Sequence, residues 1–315
     1  MTGAPRPPPS IGPGRSRHPT APGPRAVLAG VALLLVAAAD YDARVDALAG
    51  EIEARPANAA LRAEVERARA KLPTDPGPAL RARLEAHGLD AVRVPGLFYE
   101  RFPETGADLR AAERWLGAPV RRIDTDETGT VEGNAAVVAR ALRAAPRPVL
   151  AVTASKGSAD LRAALEGEPS LGAHVAIWLD LVGVLEGTPL LDSSAGDAAA
   201  GELGLPAATR RSLGSGVRRE SARPERFPPE TRAVHVAAFP HVADVSRRAL
   251  RAFEVLRPLG ANDGYVLLDA YRRAPGRVLI VRGADHYLRL ESAEQTLTAL
   301  LWVLLDELGA PPPAP

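Results

Sequence analysis

Three residues in this chain are of the types needed to turn an alcohol into a nucleophile: Ser155, Asp263 and His286, in that order. A serine hydroxyl is a weak nucleophile near neutral pH and needs a base to take its proton. An imidazole suits that task because its ordinary pKa lies near working pH. A buried carboxylate can fix the ring's tautomer and stabilise its charged form. Such a set performs acyl transfer, and backbone N–H groups must then meet the developing oxyanion.

The surroundings of Ser155 suit that role. Val149-Leu150-Ala151-Val152 is a short apolar run with β-branched residues, which predicts a buried strand. Residues 157–166 have helical composition. A serine at such a strand-to-helix corner is a nucleophile elbow, whose strained turn demands small neighbours. Gly157 meets the demand, whereas Thr153 is larger than the usual glycine. Asp263 stands in Asn262-Asp263-Gly264, which is also strong turn chemistry by itself. His286 closes Gly283-Ala284-Asp285-His286, directly after an apolar run at 278–281. The rival acids are Asp180, Asp244 and Asp285. His241, after Pro240, is the alternative base. His18 lies in the leader, His87 ends a helix, and His174 and His235 read as core or edge residues. Lys156 has two readings, a cation beside the nucleophile or a side chain in solvent.

The elements that would position these residues alternate. Strands are expected at 91–94, 120–123, 148–153, 175–179, 234–239 and 278–281. Helices are expected at 79–87, 106–117, 131–144, 157–166, 242–256 and 291–308. This alternation predicts an α/β fold with a mostly parallel sheet, whose chemistry gathers beyond the strands' carboxyl ends. The stretch 193–231 breaks the rhythm with Arg210, Arg211, Arg218, Arg219, Arg223 and Arg226 and few large apolar residues beyond Leu203, Leu205 and Leu213.

Before the alternating region, residues 1–25 are rich in Pro and Gly and carry Arg6, Arg15, Arg17 and Arg25 without an acid. Residues 26–39 form an unbroken apolar run ending in three alanines. That is the pattern of a secretory signal, with an uncleaved anchor or a buried helix as the alternatives. Residues 40–78 read as a helical extension and linker: Val45, Leu48 and Ile52 form one stripe, Leu61, Val65 and Leu72 another, with Pro56 between them. The domain expected to carry the chemistry is 79–310. The composition sets further bounds. The formal net charge of +1 gives no electrostatic case for nucleic acid, and the absence of Cys excludes disulfides and thiolate sites. No metal-ligand spacing or phosphate-binding glycine loop appears, so no cofactor or metal is expected.

From about residue 90 to 308 the chain resembles the α/β-hydrolases, specifically bacterial lipase- and esterase-like serine hydrolases. The resemblance is carried by Val94-Pro95-Gly96-Leu97-Phe98-Tyr99, Ala154-Ser155-Lys156-Gly157, Gly187-Thr188-Pro189-Leu190, Asn262-Asp263-Gly264 and Asp285-His286. It implies the α/β-hydrolase fold, with 193–231 as a cap or lid, and a Ser155–His286–Asp263 triad. It also implies an oxyanion hole from the N–H groups of Leu97 and Lys156, and an acyl-enzyme cleaving small-molecule or lipid carboxylic esters. The polar cap favours an esterase over an interfacial lipase. Acyl transfer to an alcohol and a non-catalytic envelope protein are the alternatives. Localisation is expected to be exported, with membrane association possible through 26–39.

Overall fold

The computed structural model describes residues 24–101, 119–289 and 291–309. The chain divides into two units, Met1–Asp40 and Tyr41–Pro315. Helix α1 (Pro24–Glu53) supplies the described part of the first unit and enters the second. Among the described residues no helix is long and apolar enough to cross a membrane.

The second unit is built on six strands: β1 (Asp90–Val94), β2 (Arg121–Arg122), β3 (Val149–Ala154), β4 (Val175–Leu181), β5 (Arg232–Phe239) and β6 (Arg277–Arg282). All described pairings are parallel, in the order β2-β1-β3-β4-β5-β6. β3 and β4, inside the sheet, are buried on both faces, and so read as near-continuous apolar runs rather than an alternation. The helices are α2 (Pro56–Arg69), α3 (Gly77–Ala86), α4 (Val131–Arg143), α5 (Lys156–Gly167), α6 (Ser194–Glu202), α7 (Ala207–Leu213), α8 (Ser215–Ser221), α9 (Leu250–Leu256) and α10 (Glu291–Asp306). The expected helix at 106–117 lies outside the described residues.

Alternate strand residues feed two cores. On one face Leu150, Val152, Leu179 and Val236 meet α2, α3 and α10 through Leu61, Leu80 and Leu300. On the other face Ala151, Trp178 and Phe239 meet α1, α4, α5 and α9 through Val45, Leu142, Leu161 and Phe253.

Residues 40–72 therefore differ from the expected spacer. Tyr41, Val45 and Ile52 are fully or almost fully buried in one core, and Leu61 and Val65 in the other. The two stripes are as the sequence suggested, but each faces its own side of the sheet. Asn58 completes this clasp at the edge strand, its Oδ1 accepting from the Val278 N–H of β6 at 2.9 Å. Such capping blocks edge-to-edge pairing with another chain.

The stretch 242–256 is less helical than its sequence suggests. A 3-10 turn covers Val242–Asp244 and α9 starts only at Leu250. The Asp285 carboxylate accepts from the Ser246 N–H at 2.8 Å, and a side chain thus takes a donor a continuous helix would use.

Candidate active site

Ser155 follows β3 and precedes α5 with φ 51° and ψ −122°, a conformation strained for any residue but glycine. The corner is held on three sides. The Ser155 N–H donates to Leu181 O (3.1 Å), while its carbonyl accepts from Val184 N–H (3.0 Å) and Ser158 N–H (3.2 Å). Among the described residues three other non-glycine residues have positive φ: Phe98 after β1, Val182 after β4 and Leu288 after β6. All four follow the carboxyl ends of strands, so backbone strain collects along the rim that carries Ser155.

The small neighbours are needed for a measurable reason. A Cβ on Gly157 would lie 2.2 Å from Val94 O and 2.6 Å from Pro95 O, both backbone atoms. A Cβ on Gly96 would lie 3.1 Å from Ser155 Cβ and 3.3 Å from Ala154 O. The turn after β1 and the start of α5 thus pass against one another beside the serine.

Thr153, the apparent misfit, has a place in a buried polar chain. Its Oγ1 accepts from Trp178 Nε1 (2.8 Å) and pairs with Ser158 Oγ (2.8 Å). Ser158 donates in turn to Asp180, whose Oδ2 meets His235 Nδ1 at 2.8 Å, and His235 Nε2 lies 2.6 Å from Pro275 O. Since Ser158 spends its proton on Asp180, Thr153 must donate to Ser158.

Asp263 and His286 reach the same rim from loops before and after β6. The Asp263 Oδ1 accepts from the N–H groups of Tyr265 and Val266, both at 2.9 Å, and its Oδ2 lies 2.8 Å from His286 Nδ1. An ionised carboxylate only accepts, so Nδ1 carries the proton and Nε2 is left with a lone pair. That Nε2 lies 3.0 Å from Ser155 Oγ. The backbone repeats the clasp, with His286 N–H donating to Asp263 O at 2.9 Å. Burial pulls the imidazole pKa down, but the neighbouring Asp263 charge and hydrogen bond outweigh it and hold the ring above its ordinary 6.5.

The rival residues are engaged elsewhere. Asp180 is bonded to Ser158 and His235. Asp244 accepts from the His241 N–H (3.0 Å), and Asp285 from the N–H groups of Ser246 and Tyr287 (2.8 and 3.0 Å). His241 meets Asp46 at 3.1 Å, away from the serine. Lys156 fits neither of its two readings. Its side chain is 1% exposed, with Nζ 2.8 Å from both oxygens of Asp160, which Asn134 also contacts at 3.0 Å. The i,i+4 spacing to Asp160 was the sequence signal for this pair. Burial pushes both groups toward their neutral forms, and their mutual attraction opposes it. The Lys156 N–H, by contrast, belongs to the first residue of α5, where helix geometry leaves the donor without an internal partner. Leu97, beside Gly96, is half-buried against a small core cluster of Val131, Ala159, Val184, Leu213 and Val266. Thr188 ties 193–231 to the acid loop, its Oγ1 donating to Tyr265 O at 2.5 Å and its N–H to Leu213 O at 2.9 Å. This supports an architectural part for the Gly187-Thr188-Pro189 turn.

Among solved structures, the metagenomic carboxyl esterase MGS0156 is similar to this chain with a TM-score of 0.58 and 23% identity, over 70% of this chain and 76% of that one. The mature form of Bacillus licheniformis lipase BlEst2 is similar with a TM-score of 0.55 and 23% identity, over 70% and 92% respectively. The chain has the α/β-hydrolase fold. No family model matches the sequence, and no curated protein matches it. Within the α/β-hydrolase fold, the order serine, acid, histidine and their placement beyond β3 and around β6 follow the pattern expected of that architecture. The described residues hold no cluster of His, Cys, Asp or Glu fit for a metal ion.

Proposed function

We propose that this protein is a serine hydrolase that cleaves carboxylic esters through an acyl-enzyme. The observation that carries the reading is the unbroken line from Ser155 Oγ to His286 Nε2 (3.0 Å) and from His286 Nδ1 to Asp263 Oδ2 (2.8 Å). In this reading Ser155 Oγ attacks the ester carbonyl carbon as His286 Nε2 takes its proton. The tetrahedral oxyanion is met by the N–H groups of Leu97 and Lys156, each such donor being worth about 3 kcal/mol of barrier. Collapse breaks the carbon–oxygen bond, and His286 returns its proton to the departing alcohol. Water, deprotonated by His286, then attacks the acyl-enzyme and frees the acid.

The cap speaks for small esters rather than lipid surfaces. Leu205 and Leu213 are 3% and 1% exposed, leaving Leu203 and Val217 as the exposed large apolar residues of 193–231. An interfacial lid would present a broad apolar face instead. The non-catalytic reading draws no support from Thr153, because that hydroxyl has Trp178 and Ser158 as partners. The test is turnover of p-nitrophenyl esters of graded length with purified protein. A preference for short chains that disappears in His286→Ala supports the reading, and the absence of turnover on every chain length would overturn it.

We propose further that residues 26–39 direct export, as a cleaved signal or a retained anchor. Cleavage before Asp40 would leave Tyr41, a fully buried residue of α1, in the mature chain. N-terminal sequencing of the exported protein tests this, and a mature terminus beyond Tyr41 would overturn it.

A further inference from the structure

Three cap arginines that the triad leaves unused, Arg218, Arg223 and Arg226, line a pocket of about 200 Å³ between α5 and α8, which is room for roughly six or seven waters. Arg162 and Glu166 form its floor on α5. Arg218 on α8, with Arg223 and Arg226 beyond it, forms the facing wall, and Glu132 of α4 closes one end. Four guanidiniums thus meet two carboxylates.

Both carboxylates are already engaged. Glu166 Oε1 accepts from Arg162 Nε at 2.7 Å and its Oε2 from the Arg223 N–H at 2.7 Å. Glu132 pairs with Arg218 Nη2. The side chains of Arg162 and Arg218 are each 6% exposed. Arg218 Nε is buried and has no acceptor. The guanidinium of Arg223 donates to the carbonyls of Glu220 and Ala222, and that of Arg226 to Gly167 O. Neither enters an ion pair among the described residues. The two carboxylates thus meet Arg162 and Arg218, and the exposed guanidiniums of Arg223 and Arg226 leave an excess of positive charge at the pocket. Here the need is for acceptor oxygens and negative charge together.

We propose that this pocket binds a phosphate group, free or as a phosphomonoester. A tetrahedral dianion offers oxygens in several directions at once, which suits guanidiniums arriving from α8 and from the turn after it. A single flat carboxylate would satisfy one fork only. The pocket does not include the triad: Ser155, Asp263 and His286 are not among its lining residues, and Arg162 and Glu166 lie 7 and 11 positions after Ser155, about 10 and 16 Å along the helix axis. The site therefore stands whether or not the hydrolase reading holds.

Calorimetric titration of the full chain near neutral pH and at fixed ionic strength tests the site, with inorganic phosphate, glycerol 3-phosphate and succinate as separate probes. Saturable one-to-one binding of inorganic phosphate is expected, with succinate weaker by about tenfold or more. The double variant Arg223→Gln, Arg226→Gln changes two exposed side chains and should keep the fold while weakening phosphate by about tenfold. Arg218→Met should remove binding, and Arg251→Gln, on the exposed side of α9, should leave it unchanged. Tighter binding of glycerol 3-phosphate than of inorganic phosphate would assign the monoester, and the reverse the free ion. No saturable heat with either phosphate, undiminished binding in the double variant, or succinate binding as tightly as phosphate would each overturn the proposal.

Discussion

The hydroxyl of Tyr41 and the backbone of Asn262 hold each other twice: the hydroxyl donates to Asn262 O and accepts from Asn262 N–H, both at 3.0 Å. Asn262 precedes Asp263, so a residue of α1 fixes the loop that carries the candidate acid. Tyr41→Phe should leave both backbone groups of Asn262 without their partner in a buried place. A stability loss of about 1–3 kcal/mol is expected, read from denaturant midpoints, with a lower kcat on any ester the protein turns over. An unchanged midpoint would show that the loop is held by other means.

Ser155→Ala removes only the hydroxyl from a corner whose backbone is pinned by Leu181, Ser158 and Val184. Ester turnover should fall by roughly a millionfold, and labelling by a fluorophosphonate should vanish while the circular dichroism spectrum stays the same. Persistent labelling in this variant would place the nucleophile elsewhere.

The pH dependence has a fixed sign. His286 must be neutral to take the serine proton, and its pKa is held above 6.5 by Asp263 against the effect of burial. kcat/KM should therefore rise with pH through an apparent pKa above 6.5. The same shift acts oppositely on stability. The raised folded-state pKa stabilises the protein fully below the unfolded value, and that contribution disappears as pH rises through the folded pKa. Asp263→Asn should lower the apparent pKa and reduce kcat by about ten-thousandfold. A limb that stays in place in this variant would contradict the assignment of the acid.

Gly157→Ala should be far more damaging than its size suggests. The added methyl meets Val94 O at 2.2 Å and Pro95 O at 2.6 Å, and backbone cannot step aside as a side chain can. Destabilisation of about 3 kcal/mol is expected, measured by thermal or denaturant unfolding. A loss under about 1 kcal/mol would mean that β1 and α5 can separate more easily than their contact implies.

Thr153→Val keeps the shape but leaves the Trp178 N–H without an acceptor and Ser158 without its donor. About 1–3 kcal/mol of stability should go, with a smaller change in turnover. Thr153→Gly, which restores the small residue common at such corners, should be no better, since it removes the same hydroxyl and adds backbone freedom.

Five of the six strands were legible as short runs with β-branched residues, β2 being only Arg121–Arg122, and the candidate site because its three residues sit just past such runs or in a strong turn motif. What was not legible depended on partners far away in the chain. The apolar stripes of α1 and α2 could be seen, but not that they cover opposite faces of the sheet. Asp180 read as a rival acid until His235, 55 positions on, was seen to occupy it. Lys156 read as a cation beside the nucleophile or a side chain in solvent, because its burial depends on Asn134 and Asp160 packing around it. The shortened α9 required knowing that the Asp285 carboxylate reaches Ser246.

The clasp formed by α1 and α2 also sets the order in which the molecule can be finished. Tyr41 and Asn58 leave the ribosome first, yet their partners Asn262 and Val278 follow 221 and 220 positions later. Until β6 has been synthesised, those two helices have no strand edge to cap and no acid loop to hold, so these contacts are among the last the chain can form. The edge strand and the acid loop are thus each completed by residues from opposite ends of the chain.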